Sequence, residues 1–436
     1  MMKVLNILLF CALLLFFSLY TYSQTLVIKA ASMLDVRKGV IITPAVIIVK
    51  DGIIDEINPK KIPDSIQIID LAGKMLLPGL IDMHVHLASG DTTYSATSMV
   101  MESTAYTTLR SLRNAQRDLM AGFTTLRAIG QDHPSLELID VEIMKAIEAG
   151  IMDGPRIISA GHGISITGGH YDLSMWDNFT YGVLEKGYQY GIADGADEVV
   201  KAVRYQIKHG AKWIKIVATA GILSLEGTAG AMQYSPKELI AAVEEASRHG
   251  IKVAAHAHGT QGIIAASNAG AASIEHASIL TDEAIRVLLK NGTYIVPTAY
   301  LNEPHNIDFL PDAMRKKAEE IMPLARASHS KAIKAGVKVA FGTDAGLPRE
   351  LAHGENAKEF ATLVRLGMTP INAIRTATIN ADDLLNTNDR GVLERGRLAD
   401  IIAVEGNPLQ DIKLLQKVSF VMKGGKVYLN KKNIDN

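Results

Sequence analysis

The stretch WIKIVATAGILSLEGTAGAMQYSPKELIAAVEEASRHGIKVAAHA, residues 213–257, carries the pattern that decides the fold. It opens with a short apolar segment typical of a buried strand and closes with a second one at 252–257. Between them, residues 235–250 place apolar side chains three and four positions apart and end in glycine, which predicts an amphipathic helix. Two strands joined by a helix predict a parallel pair of strands.

The same alternation extends over residues 80–389. Eight apolar segments separated by helical patterns predict a closed (β/α)8 barrel, an α/β fold of the TIM-barrel type, rather than an open sheet. The predicted strands are IDMHVH (81–86), FTTLRAI (123–129), RIISAG (156–161), WIKIVA (213–218), KVAAHA (252–257), ASIEHA (272–277), TYIVPT (293–298) and KVAFGTD (338–344).

Both ends of the chain read differently from this middle. Residues 24–79 and 390–436 contain short strand patterns and turn signals, with Asp51-Gly52 and Gly424-Gly425 as predicted hairpin turns. We therefore expect one small β-sandwich domain assembled from both ends.

Residues 1–23 carry Lys3 as their only charge, followed by an apolar run from about Leu8 to Leu19 and then by small residues. This pattern predicts a cleavable signal peptide and a periplasmic or secreted protein, and no stable membrane anchor is expected. A retained anchor is the alternative, but the run is short for a span of about 20 residues.

Composition excludes several functions. The 436 residues include 45 Lys+Arg and 46 Asp+Glu, a formal net charge of -1, so a nucleic-acid partner is not expected. The single cysteine, Cys11, excludes an internal disulfide and a cysteine-based zinc cluster. A metal site in this chain must use histidine, carboxylate or a modified side chain.

Metal-capable residues fall at the carboxyl ends of five predicted strands, where a barrel places its active site. They are His84, His86, Lys215, His256, His258, His276 and Asp344. A single histidine on an apolar strand is more often structural, but their combination indicates a site for Zn²⁺ or another divalent first-row ion. Lys215 is either an outer residue or a carbamate able to bridge two ions, and the residues alone leave this open. Histidines placed by the pattern in ordinary loops are His133, His209, His249, His305 and His329.

These residues lie in motifs that resemble the amidohydrolase superfamily over nearly the whole chain. The motifs are LPGLIDMHVHL (77–87), AGFTTLRAIG (121–130), GPRIISAG (154–161), SITGGH (165–170), WIKIVATAGILS (213–224), VAAHAHG (253–259), SIEHAS (273–278), FGTDAG (341–346), HGENAKEF (353–360) and GVLERGRLADIIAVEGNPLQDI (391–412). More narrowly, the chain resembles the metal-dependent dipeptidases and carboxypeptidases of this superfamily, including prolidase-like Xaa-Pro dipeptidases and enzymes that release C-terminal Arg or Lys.

The resemblance implies a binuclear zinc centre. His84, His86 and Asp344 would bind one ion and His256 and His276 the other, with carboxylated Lys215 as the bridge. His170 and His258 match positions that contact substrate in relatives; a turn residue and an orienting partner of His256, respectively, are the alternatives. The implied reaction is attack of a metal-bridging hydroxide on the amide carbonyl of a dipeptide or N-acyl amino acid, with Asp344 transferring the proton.

The stretch HYDLSMWDNFTY (170–181) matches no shared motif, so side-chain specificity is open. It carries Tyr171, Trp176, Phe179 and Tyr181, which we expect in a loop at the barrel mouth. His353 is interpreted as structural. Alternative functions are hydrolysis of a cyclic amide, as in imidazolonepropionase-like relatives, and a non-catalytic secreted binding protein. A homo-oligomer is compatible with the resemblance.

Overall fold

The computed structural model describes residues 25–431, except 63, 65, 90–100, 173–185, 225–226, 305–306 and 349–350. The predicted signal peptide therefore lies outside the described residues. Within the described part of the chain, no helix has the length and apolar character needed to cross a membrane.

The strands are short and alternate with helices in the middle of the chain. They are β1 Thr25–Asp35, β2 Val40–Ile42, β3 Ala45–Lys50, β4 Ile53–Ile57, β5 Gln67–Pro78, β6 Leu80–Val85, β7 Phe123–Ala128, β8 Arg156–Ser159, β9 Ile214–Val217, β10 Val253–Ala257, β11 Ser273–His276, β12 Tyr294–Val296, β13 Ile401–Glu405, β14 Phe420–Lys423 and β15 Lys426–Asn430.

The helices follow the strands of the middle segment. They are α1 Thr104–Met120, α2 Ile139–Glu148, α3 Ala196–Lys208, α4 Pro236–Arg248, α5 Thr260–Ala269, α6 Asp282–Asn291, α7 Asp312–Ala335, α8 Lys358–Arg365, α9 Pro370–Thr376 and α10 Ile379–Leu385. Short 3-10 helices cover Tyr188–Tyr190, Ala299–Asn302 and Ile412–Gln416.

Strands from both chain ends form one hydrogen-bonded sheet in the order β15-β14-β13-β5-β1-β3-β4, with β2 on the side of β1. The two predicted hairpin turns are confirmed: Asp51 and Gly52 have φ of 51° and 80°, and Gly424 and Gly425 have φ of 54° and 79°. Left-handed φ at both turn residues is what a type I′ hairpin requires. The arrangement of this sheet as a two-layered sandwich, and its predicted limits, stay predictions.

The middle segment contains two parallel sheets, β6-β7-β8 and β9-β10-β11-β12. The first follows directly from the terminal sheet, because only Gly79 separates β5 from β6. The α/β fold is thereby confirmed, with buried side chains filling both faces of its short strands, as expected of parallel strands covered by helices.

The eighth predicted strand, 338–344, is not a regular strand. It forms isolated parallel bridges instead, Val339 with Ile295 of β12, and next to it Ala345 with Val85 of β6. At the other gap between the sheets, the backbone N–H of Lys212 donates to the carbonyl of Ser159 (2.8 Å). Backbone bridges or hydrogen bonds thus connect the two parallel sheets on both sides. Closure of the barrel by eight regular strands stays a prediction.

Local sequence explains the helix ends. At α4, Pro236 occupies the first turn and Glu238 accepts a hydrogen bond from the backbone N–H of Ser235 (2.8 Å), a capping box. At α6, Thr281 caps the start and Gly292 ends the helix with φ of 66°. The apolar faces of these helices pack in one core with β9 and β10. The strand ends that carry the polar side chains are held in place by this packing.

Candidate metal centre

Two groups of candidate ligands meet at the carboxyl ends of the parallel strands. In each group the ligand atoms lie within 4.8 Å of one another, and the groups are His84, His86 and Asp344, and His256, His258 and His276. The structure thus brings together the histidines and aspartate that the sequence placed at strand ends. It also places His258 beside the predicted ligands His256 and His276.

The first group is compact. The Nε2 atoms of His84 and His86 are 3.2 Å apart, and the Asp344 carboxylate lies 3.0 Å from Nε2 of His86 and 3.4 Å from Nε2 of His84. All three side chains point to one spot at the end of β6. One carboxylate and two imidazoles are a donor set that suits a divalent first-row ion.

Outer hydrogen bonds fix the tautomers of these imidazoles. His84 directs Nδ1 at the Glu275 carboxylate (2.8 Å), and His86 directs Nδ1 at the carbonyl of Gly130 (2.9 Å). Both partners are acceptors, so each Nδ1 carries a proton and each Nε2 is directed at the spot that the two rings share. Burial alone would lower the pKa of His86, but Asp132 and Asp344 raise it to about 9. The spot therefore attracts a cation, and the residues fit a metal ion.

The second group has the same arrangement. The hydroxyl of Thr298 donates to the carbonyl of Pro297 (2.8 Å), so it accepts from Nδ1–H of His276 (2.8 Å) and leaves Nε2 of His276 with a lone pair. Burial and the neighbouring imidazoles hold the pKa of His256 and His276 well below the usual range, so both rings are neutral.

Nε2 of His256 is buried and has no hydrogen-bond partner. An unsatisfied buried nitrogen is costly, and a metal ion would satisfy it. The ring of His258 lies 4.7 Å from that of His256, and its Nδ1 contacts the hydroxyl of Ser278 (2.7 Å). The residues of this group also fit a divalent ion.

Lys215 lies on β9, the edge strand that pairs with β10. It is 1% exposed and pairs in register with Ala254 of β10, two residues before His256. Burial lowers the pKa of its ammonium to about 8, although Glu275 and Asp344 oppose this shift. A lowered pKa increases the fraction of neutral amine, the form that reacts with CO₂ to give a carbamate.

Backbone strain concentrates at the site. His276, Thr298 and Asp344 have φ of 67°, 44° and 63°, values that L-residues rarely adopt. Each such residue costs about 1–3 kcal/mol, and strain of this kind clusters at functional sites because the surrounding structure must enforce it.

His170 lies against the second group, with its ring centroid 4.4 Å from that of His256. Gly221 makes room for it, because a Cβ at position 221 would lie 2.3 Å from the imidazole. Tyr171 follows with φ of 88° and places its hydroxyl 3.0 Å from Nδ1 of His86. The rest of the predicted mouth loop, including Trp176, Phe179 and Tyr181, lies outside the described residues.

One of the histidines assigned to ordinary loops is wrongly placed by the sequence pattern. His329 lies inside α7, is 1% exposed and donates from Nε2 to the carbonyl of His276 (2.6 Å). Pro323 lies inside α7, and a proline within a helical pattern normally predicts an end or a kink, so one continuous helix was not expected here. His353 bonds the Asp118 carboxylate (2.8 Å) and the carbonyl of His86 (3.2 Å), contacts that fit its structural interpretation.

Sequence reasoning missed a buried ion pair beneath the site. Arg127 on β7 donates to Glu275 on β11 (2.8 Å), and both side chains are fully buried. Arg127 also donates to the carbonyl of Met83 (2.6 Å), next to His84. Each is a charged residue within an apolar strand, a local signal that marks the individual residues and not their pairing.

Comparisons with known proteins identify the family to which this fold belongs. An α/β protein with clustered histidines and an aspartate at its strand ends has the architecture of a metal-binding hydrolase. The amidohydrolase family pattern matches residues 75–428, and the chain belongs to that family.

Among the relatives, ochratoxinase from Aspergillus niger is 36% identical over 374 residues, which cover 81% of this chain and 75% of the relative. A crystal structure of a Xaa-Pro dipeptidase with methionine bound in its active site is 35% identical, with a TM-score of 0.86, covering 93% of this chain and 100% of that one. A prolidase in complex with N-methylphosphonate-L-proline is 29% identical, with a TM-score of 0.82 and coverage of 93% and 100%. The chain is accordingly an amidohydrolase-superfamily hydrolase that acts on C–N bonds and resembles the dipeptidase branch.

Proposed function

We propose that this protein hydrolyses the amide bond of dipeptides or N-acyl amino acids at a binuclear zinc centre. The observation that carries the proposal is the convergence of two groups of candidate ligands at the strand ends, in one of which Nε2 of His256 is buried and unpartnered. The similarity to a Xaa-Pro dipeptidase and to a prolidase supports a linear peptide-like substrate.

His84, His86 and Asp344 would hold one ion, and His256 and His276 the other, with Lys215 as a carbamate between them. His258 belongs to the second group, where it is placed to bind either the ion or the substrate, and we assign it to substrate. Two bound ions polarise a carbonyl and lower the pKa of water from about 15.7 towards 7.

The protein side chains then supply orientation and proton transfer. His170, against the ring of His256, would contact the scissile carbonyl. Asp344 is held ionised because His84 and His86 lower its pKa more than burial raises it. We assign it the role of accepting the proton from the attacking water and delivering it to the departing amine, since one positioned carboxylate can do both in turn.

We propose further that residues 1–23 are removed on export, which places the enzyme outside the cytosol. The support is the sequence pattern alone. Amino-terminal sequencing of the protein purified from the medium or periplasm tests it, with a first residue near position 24 as the expected result.

The experiment that tests the function uses the purified protein loaded with zinc and the same protein treated with a chelator. Both are incubated with a panel of dipeptides and N-acetyl amino acids, and the released amino acids are quantified. Release by the zinc-loaded protein that disappears on chelation and returns with zinc supports the proposal. Equal release with and without metal contradicts it.

A further inference from the structure

A cavity opens beside the second group of histidines. About 640 Å³ of empty space lies within it and at its opening, solvent space included. His258, His276 and Asp344 of the candidate centre line part of it, so a substrate held at that centre would contact the cavity.

Elsewhere the described lining of the cavity is largely apolar. Leu223, Leu301, Phe309 and Leu310 line it, together with Met322 of α7. Leu310 and Met322 belong to a small buried cluster of their own, against which Leu223 and Phe309 pack. A separate hydrophobic cluster therefore backs this wall and holds it in place.

Charged groups are scarce in the cavity. Among the described residues that line it, Asp344 is the sole acid or base other than histidine, and it belongs to the candidate centre. Lys317, beside the lining residue Ala318, instead donates to the carbonyls of Gly221 and Ser224 (3.1 and 2.6 Å). The described part of the wall thus offers no counter-ion to a charged side chain, and burying a charge without a partner is costly.

We infer that this cavity binds the apolar side chain, of the size of leucine, methionine or phenylalanine, of a residue flanking the scissile bond. The inference rests on the proposed function and specifies its substrate class. It excludes substrates whose cavity-binding residue is Arg, Lys, Asp or Glu.

The test compares two series of dipeptides, Xaa-Ala and Ala-Xaa, with Xaa as Leu, Met, Phe, Arg or Asp, using the zinc-loaded full-length protein. Binding of the free amino acids Leu, Met, Phe, Arg and Asp is measured separately by calorimetry. In one of the two series, kcat/KM for the apolar residues should exceed that for Arg and Asp by at least about 10-fold. This is the size of the difference in kcat/KM that one or a few methylene groups produce in an apolar pocket.

Leu301→Asp places a carboxylate in the wall and should reduce that preference for apolar residues at least about 10-fold. The value of kcat/KM should fall most for Phe, and it should not rise for Asp. Leu324→Asp is the matched control, because Leu324 is 48% exposed on α7 and does not line the cavity. Phe309→Ala adds no charge, so it tests the cavity even if Leu301→Asp does not fold. It should lower kcat/KM for Phe about 10-fold.

Cleavage with no apolar preference in either series, or with Arg or Asp preferred, overturns the inference and leaves the proposed function standing. Absence of cleavage of these dipeptides and of every dipeptide and N-acetyl amino acid in the functional panel refutes the proposed function. In that case, calorimetric binding of all five amino acids with equal affinity overturns the cavity assignment as well, and selective binding of Leu, Met and Phe supports it.

Discussion

Nδ1 of His84 lies 2.8 Å from Oε2 of Glu275, and the other oxygen of that carboxylate accepts a hydrogen bond from Arg127 at 2.8 Å. Burial alone would raise the pKa of Glu275, but Arg127 and His84 lower it to about 2, so the carboxylate stays ionised. An ionised acceptor orients the imidazole and increases the basicity of Nε2. Glu275 is therefore a positioning residue for a predicted metal ligand.

Glu275→Gln should weaken metal binding about 10- to 100-fold, because an amide orients the imidazole without increasing its basicity. Competition with a chromogenic chelator measures the affinity, and Co²⁺ absorption reports the ligand geometry. Glu244→Gln, at an exposed position on α4, is the control. An affinity within twofold of the unmodified protein, in a folded variant, would rule out this role for Glu275.

Asp344→Asn tests the proton-transfer assignment. The amide cannot accept the proton, so kcat should fall at least about 100-fold while zinc remains bound. Zinc content and kcat are measured on the same preparation, because Asp344 is also a predicted ligand. A kcat within about 10-fold of the unmodified enzyme, with zinc bound, would show that another group carries the proton.

Lys215 should bridge the two ions only after it reacts with CO₂. Zinc reconstitution of the metal-free protein in bicarbonate should therefore give about two ions per chain, and in CO₂-depleted buffer fewer. Lys215→Met should abolish the dependence on bicarbonate, because its side chain cannot form a carbamate. Zinc per chain and intact mass check the prediction, and equal zinc content in both buffers would contradict it.

Glu359 gives a pH dependence of stability that is separate from catalysis. It is fully buried, and burial raises its pKa from 4.5 to about 8, although the backbone N–H groups of Ala299 and Tyr300 donate to it. A raised folded pKa means that its stabilising contribution is complete below pH 4.5 and is lost as the pH rises through about 8.

Glu359→Gln removes this titration, so the unmodified protein should lose stability relative to the variant as the pH rises from about 5 to about 9. Thermal unfolding at several pH values measures the difference in Tm. Glu355→Gln, at an exposed position nearby, is the control. A Tm difference that stays constant across this range would show that Glu359 does not titrate there.

Much of the fold and of the candidate site was predictable because short sequence patterns indicate the strands, the helices and the residues at the strand ends. Alternation of short apolar segments with helices located the seven regular parallel strands, and two of the hairpin turns followed from glycine at left-handed positions. His84 and His86, two residues apart on a strand, could be placed together because side chains alternate across a strand.

What escaped prediction depends on contacts between distant parts of the chain. The pairing of Arg127 with Glu275 spans 148 positions, so no local pattern reveals it. The segment 338–344 has the composition of a strand, yet Asp344 has φ of 63°. This left-handed value is incompatible with an extended strand at that residue. The apolar cavity combines loops with α7, and its walls are contiguous only after folding.

The most direct test of the central assignment, a linear amide substrate, is a comparison of kcat/KM for a dipeptide and for a small cyclic amide on the same zinc-loaded preparation. We predict that an apolar dipeptide is cleaved at least about 100-fold more efficiently than the cyclic amide. Efficient opening of the cyclic amide by a protein that binds one ion and releases no amino acid from any dipeptide would contradict the account.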